Sequence, residues 1–239
     1  MGQLWLKASR MRIALSVFVF LAVFVQPSVR GQSSVRLLRP GTFLIEPPRI
    51  LPTEQWFGLH RAASGWSLTR VAPKIAPGEH VCREHATLIS VDGSNDMLIL
   101  LTGVRNLSEG PVTSSIDRPR FVYPGEAIDI GAGIAGSAER PRFYLEALGS
   151  AVHEVGGVVF ENYTLWISHG RERQRVASFE RNVSRQVIWA GDIDRDARPD
   201  VLFNFPLGDA GANYVLFLSS LRAADQFVSE AASFSNPGC

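Results

Sequence analysis

The sequence lacks an excess of charge of either sign. Its 24 Lys and Arg residues are matched by 23 Asp and Glu residues. Binding to nucleic acid or to an anionic membrane by bulk charge needs a basic surplus, so neither partner is predicted. Without residues 1–31, the chain holds 20 basic and 23 acidic residues, a formal net charge of −3, and the same conclusion holds.

Cysteine is scarce as well, since the chain holds only Cys82 and Cys239. In an oxidising compartment an isolated pair is most simply a disulfide, so we predict that these two residues pair. The bond would tie the last residue to the first half of the chain. Two free thiols are the alternative.

The apolar run near the N-terminus is too short to cross a membrane. It covers residues 13–25 and follows Lys7, Arg10 and Arg12, whereas a membrane-spanning helix needs about 20 apolar residues. A basic stretch, a short apolar run and a small-residue cleavage site are typical of a signal peptide. Residues 1–31 are therefore predicted to be removed, which predicts a secreted or periplasmic protein without a transmembrane anchor.

No sustained helical spacing of apolar residues occurs, apart from a weak pattern around residues 223–232. Short β-branched or aromatic segments alternate instead with turn residues, which is typical of an all-β protein. We predict an antiparallel sandwich or propeller-blade-like sheets with long loops and at most one or two short helices. Residues 32–56 are predicted to form an extended arm, and residues 57–239 the β domain. The predicted strands are 87–91, 97–102, 121–123, 143–148, 157–161, 163–168, 176–179, 186–190, 200–205 and 214–219.

The stretch 192–200 carries the clearest chemistry, because aspartates stand at its positions 1, 3, 5 and 9 between two apolar segments. Carboxylates that alternate in a tight loop bring their oxygens to one point, and they repel one another unless a cation neutralises them. A cation that prefers six to eight oxygen ligands, namely calcium, suits this set. No glutamate occupies position 12, so the loop is not an EF-hand. The predicted ligands are the side chains of Asp192, Asp194, Asp196 and Asp200, the last directly or through a water, and the backbone carbonyl of Arg198. The alternative is that the aspartates only cap a solvated hairpin.

At these residues the chain resembles the FG-GAP and VCBS-type repeat of integrin α propellers and of many bacterial exported proteins. Its signature is Gly-Asp-x-Asp-x-Asp-Gly-x-x-Asp followed by an apolar strand. The resemblance covers about 15 residues closely and implies a calcium-binding β-loop without catalytic activity. Residues 214–220 and the final Gly238-Cys239 also look like a group of bacterial secreted proteins with one such loop. Ala197 departs from the pattern, since it replaces the glycine that turns the loop with positive φ, at a cost of about 1 kcal/mol.

Two functions are compatible with these residues. The first is a secreted, non-catalytic calcium-binding β protein with an adhesion- or recognition-like role, whose partner is a surface protein or a glycan. The second is a secreted hydrolase acting on a polysaccharide-type substrate, with the calcium loop as an accessory. No catalytic residue is assigned, because His153 and His169 lack any accompanying nucleophile motif. The aromatic residues Trp56, Phe57, Trp66, Tyr163 and Trp166 form a possible sugar platform, although core packing is the favoured interpretation.

Overall fold

The fold is all-β, as the sequence predicts. The computed structural model describes residues 35–80, 83–92, 96–116, 118–134, 142–154, 157–183, 186–207 and 211–236. Within these ranges every strand pairing is antiparallel and no residue is helical. It follows that this part of the chain contains no helix long and apolar enough to cross a membrane.

The strands of these ranges are numbered in chain order. They are β1 (Arg36–Leu38), β2 (Gly41–Phe43), β3 (Trp56–Ala62), β4 (Gly65–Val71), β5 (Lys74–His80), β6 (Arg83–Ser90), β7 (Met97–Thr102), β8 (Gly110–Ser114), β9 (Arg120–Phe121), β10 (Ala127–Asp129), β11 (Phe143–Glu154), β12 (Gly157–His169), β13 (Glu172–Val183), β14 (Gln186–Asp192), β15 (Asp200–Leu207), β16 (Gly211–Leu218) and β17 (Ser229–Asn236).

The strands form three sheets. The largest has the order β1-β7-β3-β4-β8-β14-β15-β16-β17, with β9 also paired to β14. This sheet is nearly closed, because its first and last strands, β1 and β17, lie side by side. A second sheet has the order β10-β11-β12-β13, and a third the order β2-β6-β5.

Residues 35–56 contribute strands to these sheets. Strand β1 pairs with β7, and β2 pairs with β6. Leu37 and Phe43 are buried in the core, and the ring of Phe43 packs edge-on against Phe234 with centroids 4.9 Å apart. Residues 35–43 therefore belong to the packed body of the protein.

Strands β15 and β16 lie between two hydrophobic cores. Leu202 and Leu216 point into one core, whereas Val201, Phe203 and Phe217 point into the other. Successive side chains of a strand face opposite sides of the sheet, so an uninterrupted apolar run is what two-sided burial requires. The acidic loop, residues 192–200, leads directly into β15 and so lies at one end of this two-sided core strand.

Several boundaries differ from the sequence prediction. The segments 157–161 and 163–168 form one continuous strand, β12, in which Asn162 has a φ of 50°. The weak helical pattern around residues 223–232 does not form a helix, and this segment is a turn followed by β17. The predicted signal peptide, Cys82 and Cys239 lie outside the described residues.

Candidate metal centre

The acidic loop, residues 192–200, connects β14 to β15. Gly191 pairs with Asp200 across this hairpin, and β8 pairs with the other edge of β14 through Ser114 and Thr113. Three strands thus fix the two ends of the loop. The sequence predicts the two strands that flank the loop, but the third strand, β8, comes from about 80 residues earlier in the chain.

Three of the loop aspartates converge. One carboxylate oxygen each from Asp192, Asp194 and Asp200 lies within 4.8 Å of the others. The three residues are 9 %, 2 % and 0 % exposed, respectively. Charged groups are rarely buried unless they are paired or bind a metal. This buried acidic triad could hold a metal ion.

The other two predicted ligands lie differently. Both carboxylate oxygens of Asp196 accept from the Ser219 hydroxyl at 2.9 Å, and one also accepts from the backbone N–H of Arg198 at 2.9 Å. The second Asp196 oxygen lies 4.0 Å from the Arg222 guanidinium. Asp196 is thus directed to the turn after β16, and Arg198 contacts it through the backbone. The structure brings together Asp192, Asp194 and Asp200, and places Asp196 beside them.

Two of the triad carboxylates also fix the backbone. Asp192 accepts from the N–H groups of Asp196 and Ala197 at 3.0 and 2.9 Å. Asp200 accepts from the N–H groups of Ile193 and Ser219, both at 2.8 Å. These bonds close the loop on its own side chains. An ionised carboxylate has about four acceptor positions, so each group keeps lone pairs for a cation.

Asp194 is the least satisfied of the three. Its Oδ2 accepts from the Ser220 hydroxyl, and the nearby backbone N–H groups of Asp194 and Asp196 lower its pKa, whereas its Oδ1 is buried and makes no hydrogen bond of normal geometry with a described residue. A buried polar atom without a partner costs free energy and needs an explanation such as an ion that is not part of the chain. This buried carboxylate oxygen is thus available to a cation.

Burial and like charges raise the pKa values of the triad. Burial is the main cause for Asp192 and Asp194, and the negative charge of Asp196 adds to it in both cases. The pKa of the fully buried Asp200 lies well above its usual range, again chiefly through burial and then through the charge of Asp194. A cation at this point would favour the ionised forms and lower these pKa values.

No family model, curated protein or solved structure matches this chain. The likeness to the FG-GAP loop thus depends on the residues of the loop alone. The chemistry of the site follows from the geometry of these residues.

Ser219 and Ser220 are site residues that the sequence did not predict. Ser219 is fully buried, and its hydroxyl oxygen also lies 3.1 Å from a carboxylate oxygen of Asp200. Both serines directly follow β16, which is two strands after β14 in an up-and-down arrangement. Because neighbouring strands here run in opposite directions, β14 and β16 end on the same side of the sheet. Two hydroxyl residues directly after that apolar strand were the signal that could have found them.

The remaining sequence candidates are not members of the triad. Trp56, Phe57, Trp66 and Tyr163 are buried and pack in the cores, which agrees with the favoured interpretation. Trp166 is half-buried. His153 is exposed on β11, whereas the ring of His169 stacks on Phe143 with centroids 4.3 Å apart.

Two loop residues have left-handed backbone conformations. Ala197 has a φ of 63° and Arg195 a φ of 59°. Side chains with a Cβ pay a steric cost there that glycine avoids. Ala197 thus adopts a conformation that glycine would adopt at a lower steric cost.

Replacing Ala197 with glycine should stabilise the loop. We expect the free energy of unfolding to rise by up to about 1 kcal/mol, because strain is removed while the N–H that bonds to Asp192 is kept. Urea denaturation of the two proteins measures the change. Ala232→Gly, in β17 with ordinary φ, is the matched control and should lose about 0.5–1 kcal/mol. Equal losses in both variants would contradict the strain argument.

Proposed function

We propose that this protein is a secreted, non-catalytic β protein in which the acidic loop binds one calcium ion. The observation that carries the proposal is the buried triad of Asp192, Asp194 and Asp200, in which Asp194 Oδ1 makes no hydrogen bond of normal geometry within the described part of the chain. The adhesion- or recognition-like role is part of the same proposal. It rests on the expected signal peptide and on the resemblance of the loop to FG-GAP repeats.

The donor set favours calcium over other common cations. All three groups are carboxylates, whereas zinc sites in proteins use histidine and cysteine extensively. Magnesium demands near-ideal octahedral geometry and usually keeps several waters, which a site with side chains 9 % exposed or less does not readily supply. Calcium accepts six to eight oxygens in flexible geometry. Asp196 and the carbonyl of Arg198 are the further donors that the sequence of the loop predicts.

The burial of the site supports a structural role for the ion. A catalytic metal needs an open position for substrate or water, whereas a structural ion is enclosed by protein. A cation among these aspartates would offset their repulsion and tie the loop to the turn at Ser219 and Ser220. Because the unfolded chain does not preform such a site, the binding free energy appears as folding free energy.

The test is the thermal midpoint of the chain from Gln32 onward in millimolar calcium and in excess chelator. Calcium at 100 times its dissociation constant adds about 2.7 kcal/mol, which corresponds to roughly 5–10 °C for a domain of this size. Magnesium at the same concentration is the control and should shift the midpoint by a small fraction of that value. Equal midpoints in calcium and chelator would refute the metal assignment.

A secreted polysaccharide hydrolase is the second candidate, and one observation favours it. A cleft beside the acidic loop is lined by His169 and by several carboxylates, among them Asp129 and Asp196. However, the ring of His169 packs against Phe143 and Phe227. Asp129 and Asp196 already accept hydrogen bonds from Gly131 N–H and from Ser219. Release of reducing sugar from a polysaccharide, lost on His169→Ala, would favour the hydrolase over the non-catalytic protein.

A further inference from the structure

The acidic loop has a second face, which forms a wall of a large cleft. Asp196, Ala197, Arg198 and Pro199 line this cleft from the loop side. The opposite walls come from the sheet β10–β13 and from the turn that follows β16. The triad points into the protein, whereas the cleft opens to solvent. Residues 192–200 therefore contribute to both.

The size of the cleft suits a chain of several units. Its volume is about 1410 Å³, whereas pockets for single small molecules measure about 300–1,000 Å³. An extended oligomer fills a space of this size better than one metabolite does.

Guanidinium groups with free donors line the cleft. Arg198 is half-buried in the lining, and among the described residues only its backbone N–H makes a hydrogen bond, to Asp196. The guanidinium of Arg142 is 4.0 Å from its nearest carboxylate, Asp129, and the side chain is 73 % exposed. Arg222 donates to the carbonyl of Ser219, and Arg173 pairs with Glu146 at 2.8 Å. Guanidinium groups bind carboxylates and sulfates with two parallel hydrogen bonds.

The cleft offers acceptors and ring faces as well. Glu172 and Asp225 are exposed in its lining. On one wall the rings of Phe143, His169 and Phe227 pack together, with the centroids of Phe143 and Phe227 5.8 Å apart. Four arginines and four carboxylates line the cleft, so a ligand that carries hydroxyls as well as acidic groups matches it better than one that is anionic throughout. A sugar chain uses both the carboxylates and the rings, because its hydroxyls donate to carboxylates and its C–H faces pack on rings.

We propose that this cleft binds an acidic oligosaccharide, with Arg142 and Arg198 receiving its carboxylate or sulfate groups. The inference deepens the recognition role of the proposed function and rests on it. A cation at the triad fixes the loop that carries Arg198, so binding of the sugar is expected to be stronger with calcium than with chelator.

The experiment is calorimetric titration of the chain from Gln32 onward with a galacturonic acid tetramer at fixed free calcium. A neutral glucose tetramer of the same length is the ligand control. The double variant Arg142→Ala/Arg198→Ala should weaken binding of the acidic tetramer by about tenfold or more, since two charge-assisted contacts are lost. The alanine at residue 198 keeps the backbone carbonyl. Arg175→Ala, exposed on β13 outside the cleft lining, is the protein control and should bind as the native chain does.

The outcomes separate this inference from the metal proposal. Tighter binding of the acidic tetramer than of the neutral one, weakened in the double variant, supports the cleft assignment. Equal binding of both tetramers, unchanged binding in the double variant, or no binding at millimolar sugar overturns it. If calcium raises the thermal midpoint while no tetramer binds, only the cleft assignment fails. If the acidic tetramer binds while calcium leaves the midpoint unchanged, the metal assignment fails instead.

Discussion

Replacing Asp194 with asparagine is expected to stabilise the calcium-free protein and to remove its stabilisation by calcium. The carboxylate is buried, and its Oδ1 makes no hydrogen bond of normal geometry within the described ranges. Asparagine has the same shape and keeps an oxygen for the Ser220 hydroxyl, but it carries no charge. In chelator, we expect a gain of about 1 kcal/mol, or roughly 3 °C. In millimolar calcium, the variant should melt below the native protein, because it loses a ligand.

The pH dependence gives this prediction a second readout. Burial raises the pKa of Asp194 in the folded chain above its unfolded value. A raised pKa contributes stability below the unfolded pKa, and that contribution is lost as pH rises through the folded pKa. The advantage of asparagine in chelator should therefore be largest near neutral pH and vanish near pH 4 and below, where native Asp194 is itself protonated.

Thermal melts of both proteins, in calcium and in chelator at several pH values, measure the effect. Asp92→Asn is the matched control, since that carboxylate is exposed and pairs with Lys74 at the surface. It should change neither the midpoint in chelator nor the calcium response by more than about 0.5 kcal/mol. A variant at Asp194 that keeps the native calcium shift would remove this residue from the metal site.

The predicted fold class is confirmed. It could be predicted from the sequence because the signal for it is local. Short apolar segments and intervening turn residues are visible without knowing what pairs with what, and the predicted strand 97–102 coincides with β7. Strands whose outward faces are polar are harder to predict from the sequence. The segments before residue 74 contribute β1 to β4, yet Arg, Ser and Thr interrupt their apolar residues. Their strand structure depends on partners that are distant in sequence.

The candidate site was partly predictable for the same reason. The spacing of the loop aspartates is a local pattern, and three of the four aspartates form the triad. The direction of Asp196 was not predictable, because it is set by Ser219 and Arg222 from the turn after β16. The cleft likewise required the tertiary structure, since the sheet β10–β13 supplies its far wall.

Gly191→Ala is expected to have the largest effect on stability. A Cβ at this position would lie 2.0 Å from the carbonyl oxygen of Thr113, 2.6 Å from the ring of Trp189 and 2.9 Å from the Cα of Ser114. None of these groups can move easily. Trp189 is fully buried, and the backbone of β8 is held on β14 by the pairing of Ser114 with Gly191. Relief of the clash would require β8 and β14 to separate beside the acidic loop.

We therefore expect Gly191→Ala to lose more than about 4 kcal/mol of unfolding free energy and most of its response to calcium, because Asp192 is the next residue. Gly131→Ala is the matched control, since its nearest contact would be 3.3 Å, to the backbone nitrogen of Phe143. Urea denaturation with calcium and with chelator measures both variants, and circular dichroism shows whether Gly191→Ala folds at all. A loss no greater than that of Gly131→Ala would mean that β8 does not press on β14, and that the acidic loop is held by the β14–β15 hairpin alone.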